Sequence, residues 1–153
     1  MSETSELNAV SNPANVAGVA ALLMVTSMER SLKFYVDGLG FTIQNRWIPD
    51  GHLRWVWMSL GSAALMLQEA TGDTPRKLAA AGKLGNGSAL YFQCKDTLAI
   101  YREAGARGIH PKHEPQVGNF AWEVFYHDPD GYSINFSSPT GLPEETLLSE
   151  IEA

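Results

Sequence analysis

Two stretches of this chain, Leu32-Lys-Phe-Tyr35 and Leu98-Ala-Ile-Tyr101, occupy the same place in two successive runs of elements, each a strand, a helix and three further strands. An internal duplication of this kind constrains the fold more than any single motif, because a unit with one apolar strand face cannot bury that face alone. Two such units must pack on each other, with helices to one side. The other strand face is then left as an open, concave surface. The expected fold class is α+β: two βαβββ modules forming a cupped mixed sheet with helices on the outer face.

The first module starts with a strand from Val16 to Val25, in which Leu23 and Val25 face one way and Leu22 and Met24 the other. Ser27 is placed to cap a helix through Met28, Leu32, Phe34 and Tyr35, and Gly38 and Gly40 end it. Phe41 to Ile48 reads as a second strand and Pro49-Asp50-Gly51 as a turn. Trp55 to Leu60 and Ala63 to Gln68 then form a hairpin around the two-residue loop Gly61-Ser62. Its faces separate sharply. Val56, Met58, Leu60, Leu65 and Leu67 share one side; Trp55, Trp57, Ser59, Ala64, Met66 and Gln68 share the other.

The second module repeats the order: a strand from Ser88 to Cys94, then a helix capped by Asp96 that carries Leu98, Ile100 and Tyr101 and ends at Gly105. Strand signals follow around Ile109, at Ala121 to Tyr126 and at Tyr132 to Phe136. Asp128-Pro-Asp-Gly131 has type I turn chemistry: an acceptor at the first position, a proline that fixes φ, and a closing glycine. In the strand after it, Tyr132, Ile134 and Phe136 alternate with Ser133, Asn135 and Ser137, so one face packs and the other meets water. Thr71 to Gly87 connects the modules, with a short helix from Pro75 to Ala81. Residues 1–15 read as a disordered tail, 16–139 as one domain with modules at about 16–70 and 87–138, and 140–153 as an acidic extension capping one edge.

A net charge of −6 without a basic stripe argues against nucleic acid as a partner. No stretch reaches the ~20 apolar residues of a membrane span, and the N-terminus lacks a basic, apolar leader, so a cytoplasmic, membrane-free protein is expected. With Cys94 as the single cysteine, neither a disulfide framework nor a cysteine-rich zinc site can form within one chain. Its alternation with Leu90 and Phe92 marks a buried thiol. Ser62 and Ser88 sit beside turn glycines without a nucleophile-elbow motif, and Gly82 to Gly87 lacks the lysine and hydroxyl of a phosphate loop.

Ser27-Met-Glu-Arg-Ser-Leu-Lys-Phe-Tyr35, Gly38-Leu-Gly-Phe41, Ala64-Leu-Met-Leu67 and Trp122-Glu-Val-Phe-Tyr-His-Asp-Pro-Asp-Gly-Tyr132 occur in an order and spacing that resembles the glyoxalase/bleomycin-resistance/dioxygenase, or vicinal oxygen chelate, superfamily. The resemblance implies paired βαβββ modules and a homodimer. Its enzymes hold a divalent metal at positions that fall here on Ala20, Met66, Ala89 and Asn135. None is a histidine or carboxylate, so no metal or other cofactor is expected. The resemblance then points to the metal-free, bleomycin-resistance-like branch, which sequesters a planar or cationic small molecule.

Trp55, Trp57, Met66, Gln68, Tyr91, Gln93, Glu123, Phe125 and Asn135 would line the cup, with Ser133 as a further hydrogen-bonding group. The alternatives are equally concrete. Trp55 and Trp57 also suit a dimer interface. A lyase, isomerase or dioxygenase would need a relocated metal site, with His110, His113 or Glu123 as ligands. His52, His110, His113 and His127 otherwise read as turn and loop histidines.

Overall fold

Helix starts and strand alternation generate the same unit twice in the computed structural model, which describes residues 13–152. Residues 1–12 of the expected tail lie outside the described residues. The first unit contains β1 (Ala21–Val25), α1 (Met28–Leu32), β2 (Thr42–Trp47), β3 (Trp55–Leu60) and β4 (Ala63–Glu69). A connecting helix α2 (Thr74–Ala80) leads to the second unit: β5 (Leu90–Gln93), α3 (Thr97–Ala106), β6 (Gln116–Gly118), β7 (Ala121–His127) and β8 (Ser133–Pro139). A short α4 (Leu148–Glu152) follows. The sheets have the strand orders β1-β4-β3-β2 and β5-β8-β7-β6. In each, the first strand runs parallel to the last and the other pairs are antiparallel. This is the α+β architecture of two βαβββ modules.

Both helices start as the sequence predicts. Ser27 Oγ accepts the Arg30 N–H at 3.3 Å, and Asp96 Oδ1 accepts that of Ala99 at 3.0 Å. Each helix is also tied to the last strand of its own module. Glu69 accepts the Met28 N–H at 2.7 Å, and Ser138 Oγ accepts that of Thr97 at 3.0 Å. The two helices then diverge. After Leu32 the first continues in wider π-type turns over Lys33–Gly38, with the Leu39 N–H on the Phe34 carbonyl at 2.9 Å. Gly38 allows Ile109 to pack against this turn, where a β-carbon would collide with the Ile109 side chain.

That contact corrects the strand expected around Ile109. Ile109 is apolar because it packs between modules, and its N–H closes the end of α3 on the Ala104 carbonyl at 2.9 Å. The pairing strand is the three-residue β6 further along. The first strand is also shorter than the alternation suggests, because residues 16–20 find no ladder partner before Ala21 pairs with Leu65. The C-terminal extension covers the β6 edge: Val117 donates to Thr146 O at 2.9 Å, Glu145 donates to Val117 O at 2.8 Å, and Leu148 packs with Val117 and Trp122.

One core joins the two modules. Val56, Met58, Leu65 and Leu67 from the first hairpin and Val124, Tyr126, Ile134 and Phe136 from the second all belong to it. Edge-to-face contacts carry it across the boundary, Tyr35 to Phe41 at 5.7 Å and Phe41 to Phe92 at 5.7 Å, and Phe92 stacks on Phe136 at 5.3 Å. A polar joint reinforces it. The Tyr35 hydroxyl donates to buried Asp128 Oδ2 at 2.8 Å, while Asp128 Oδ1 accepts the N–H groups of Asp130 at 3.0 Å and Tyr132 at 2.9 Å. Burial pushes the Asp128 carboxyl up, opposed by these same donors. The turn predicted at Asp128 closes as expected, with Gly131 N–H on the Asp128 carbonyl at 2.9 Å.

Candidate functional site

Because alternate residues of each strand enter the shared core, the remaining residues form an open face on each sheet. Register places them in matching rows. Leu22, Met66 and Trp57 lie side by side across β1, β4 and β3, and Tyr91, Asn135 and Phe125 across β5, β8 and β7. The next rows are Met24, Gln68, Trp55 and Trp47 in the first sheet and Gln93, Ser137, Glu123 and Gln116 in the second. All nine sequence-predicted site residues therefore face away from the core.

They do not all meet in one place. Trp57, Tyr91 and Gln93 line a cleft of about 700 Å³ together with residues 17–21, Ser62, Ala63 and Ala64. That volume suits a drug-sized molecule. Trp55, Met66, Gln68, Glu123, Phe125 and Asn135 lie elsewhere on the open faces of the two sheets and are not part of its lining. Tyr91 and Phe125 remain 51% and 42% exposed, in edge-to-face contact at 6.3 Å. Asn135, between them in register, is only 5% exposed, and its Oδ1 has no hydrogen-bond partner among the described residues. The wet face expected for Asn135 is therefore closed at this buried residue, while Ser133 and Ser137 stay half-buried.

The residues that the resemblance puts at the superfamily's metal positions do not have the chemistry of a site for a hard divalent ion. Met66 and Asn135 hold equivalent places on the two central strands, and Ala20 and Ala89 immediately precede β1 and β5. Two methyl groups, a thioether and a carboxamide lack the anionic oxygen or imidazole ligands that such an ion needs. Among the described residues, no three histidine, cysteine, aspartate or glutamate side chains come together as a ligand set, and His110, His113 and Glu123 form no such group. Half-buried Cys94 is kept protonated at neutral pH, since burial pushes its thiol up.

The reading of the sequence misplaces one polar group of this face and misses another. His127 is the last residue of β7, not a turn residue, and alternation from Glu123 and Phe125 puts it on the open face. Lys83, from the connecting segment, donates to His127 Nε2 at 2.6 Å. Burial, with Lys83 and Lys112 nearby, lowers the pKa of His127 and favours the neutral ring. Counting two residues on from Phe125 would have found the histidine; nothing in the local pattern announces the lysine.

The sequence profile of the Glyoxalase/Bleomycin resistance protein/Dioxygenase superfamily matches residues 17–136. No curated protein sequence matches the chain. Among solved structures, a glyoxalase/bleomycin resistance protein/dioxygenase from Nocardioides is similar at 17% identity and a TM-score of 0.64, over 95% of this chain and 95% of that one. A bleomycin-binding protein complexed with bleomycin is similar at 19% identity and TM-score 0.61, over 82% of this chain and 100% of the other. TnmS3, an antibiotic binding protein from Streptomyces sp. CB03234, is similar at 23% identity and TM-score 0.57, over 80% and 97%. At these identities the likeness is one of fold. No helix among the described residues is long and apolar enough to cross a membrane.

Proposed function

The chain belongs to the Glyoxalase/Bleomycin resistance protein/Dioxygenase superfamily, and from that premise we propose that it is a metal-free protein that binds and sequesters a planar or cationic small organic molecule. The observation that carries this reading is the cleft shared by Trp57, Tyr91 and Gln93, an apolar recess with aromatic walls and a few polar groups. An aromatic ring stacks on a flat ligand or holds a cation against its π face, each contact contributing about 0.5–2 kcal/mol. Trp55, Met66, Gln68, Glu123, Phe125 and Asn135 extend the open surface beyond the cleft. Association alone removes the ligand from its target; no bond is broken. Bleomycin binding, named for one structural neighbour, and antibiotic binding, named for another, support a small-molecule ligand.

The partly exposed Leu22, Trp47, Tyr91 and Phe125 on the open faces of the two sheets favour a homodimer, in which a second copy would cover apolar surface that one chain leaves to solvent. Light scattering coupled to gel filtration gives its mass directly.

The binding test is titration by tryptophan fluorescence and calorimetry against a library of planar cations, including bleomycin-type compounds. Saturable binding is expected, with Trp57→Ala weakening it by about tenfold, the loss of one such ring contact. No saturable binding to any member would overturn the reading. A stoichiometric divalent ion in protein purified without chelator would overturn its metal-free part.

A further inference from the structure

The open face of the second module is electrically bipolar along its length. Glu123 and His127 project from the same side of β7, four residues apart, which at a strand rise of ~3.4 Å separates them by about 14 Å. Phe125 lies midway, in contact with Tyr91. At one end stands a carboxylate whose only hydrogen bond among the described residues is a 3.5 Å contact from Asn119 Nδ2. At the other stands the Lys83 ammonium. None of the ion pairs among the described residues includes Glu123, Lys83 or Lys112. In a chain of net charge −6, two lysines close to one histidine and without a carboxylate partner are an uncompensated positive site.

The chemistry of that end is specific. A lysine ammonium has only donors, so His127 Nε2 must accept and the ring proton sits on Nδ1. Nδ1 is buried and has no partner among the described residues. With His127 Nε2 taken and Nδ1 buried, what the pair presents is the remaining N–H donors of Lys83 and no free acceptor, which selects an oxyanion. Glu123 presents acceptors only, which selects a protonated nitrogen. The aromatic pair between them takes a flat, apolar middle.

We propose that this trough binds an elongated amphoteric aromatic molecule, its cationic N–H group on Glu123, its ring system on Tyr91 and Phe125, and its carboxylate or other oxyanion on Lys83 beside His127. The inference rests on the small-molecule reading above and narrows it, since a purely cationic ligand would leave the Lys83 end unused.

Four probes on one biphenyl spacer test it by calorimetry: 4′-(aminomethyl)biphenyl-4-carboxylic acid, its methyl ester, its N-acetyl derivative, and the N-acetyl methyl ester. The amino acid is expected to bind tightest, and each single capping should weaken it on the order of tenfold, the worth of one charge-assisted hydrogen bond. Lys83→Met keeps the aliphatic stem that packs against Gly131 and should abolish the difference between acid and ester while leaving the amine preference. Glu123→Gln should do the converse. If the amine ester binds as well as the amino acid, or Lys83→Met weakens both equally, the bipolar trough is overturned and the sequestering reading stands. If none of the four binds but planar cations of the wider library do, the trough again falls alone. Failure of both sets removes both proposals.

Discussion

The two modules solve one structural problem with different chemistry. Each must hold the first turn of its helix to the end of its last strand, and register puts Glu69 and Ser138 at the same position in their sheets. In the second module a neutral hydroxyl takes the Thr97 N–H. In the first, a carboxylate takes the Met28 N–H and also accepts from His52 Nε2 at 2.7 Å and Arg54 at 2.8 Å. The first joint is a charged hub that ties helix, hairpin and turn together; the second is a single neutral bond. The same topology therefore carries two different sensitivities to pH.

The largest expected effect falls on the residue that belongs to both modules. Asp128→Ala removes the acceptor for the Tyr35 hydroxyl and for two backbone N–H groups in a buried site, at a cost of about 3 kcal/mol or more in urea unfolding. Tyr35→Phe keeps the ring and deletes one donor, so a smaller loss, about 1–2 kcal/mol, is expected. Equal losses from the two would show that the joint is not organised around Asp128.

Next comes the contrast between the joints. Glu69→Ala should cost about 2–3 kcal/mol, because bonds to a charged acceptor are lost, and Ser138→Ala about 1 kcal/mol. Burial on its own would raise the Glu69 pKa, but the Met28 N–H, His52 and Arg54 together hold it below the usual carboxylate value. A carboxylate depressed in the folded state contributes stability that is present above its ordinary pKa and lost as pH falls through the lowered value. Below about pH 4.5, amide exchange at the start of α1 is expected to accelerate relative to the start of α3, and Glu69→Gln should erase that difference. Uniform acceleration in both helices would break the comparison.

The contrast between modules was legible in the sequence only where it runs through periodicity. Strand alternation separates core from open face in the Trp55–Glu69 hairpin, and the caps at Ser27 and Asp96 are local signals confirmed by their bonds. β6 was not legible, because three residues with one buried side chain leave too short a period, whereas Ile109 mimics a strand residue while packing on Gly38. The open-face residues follow from alternation, but which of them share a cleft depends on how β5 sits beside residues 17–21, a long-range placement. Lys83 reaches His127 across 44 positions, beyond any local pattern.

Row equivalence yields a smaller prediction. Asn135 stands where the first module has Met66, yet its Oδ1 is buried without a partner among the described residues. Asn135→Met should leave stability unchanged or raise it by up to about 1 kcal/mol, since an unsatisfied acceptor is removed. A loss above ~1 kcal/mol in the same unfolding assay would mean that the carboxamide makes a stabilising contact.

The smallest effect separates two two-residue hairpin turns, the one between β3 and β4 and the one between β6 and β7. The first turns at Gly61-Ser62 with a positive φ on glycine, where no strain arises. The second turns at Asn119-Phe120 with φ of 52° and 64° at the two positions, a primed turn with a bulky aromatic residue in the left-handed region. It is held by a clamp from the C-terminal extension: Glu144 accepts the Asn119 N–H at 2.9 Å and the Phe120 N–H at 2.7 Å. Phe120 is 78% exposed, so its ring contributes little burial to offset the backbone cost. Phe120→Gly is therefore expected to raise the unfolding free energy by about 0.5–1 kcal/mol, and Glu144→Ala to lower it by about as much through loss of the clamp. If Phe120→Gly destabilises instead, the exposed ring must be covered in solution, and a second copy of the chain becomes the first candidate for what covers it.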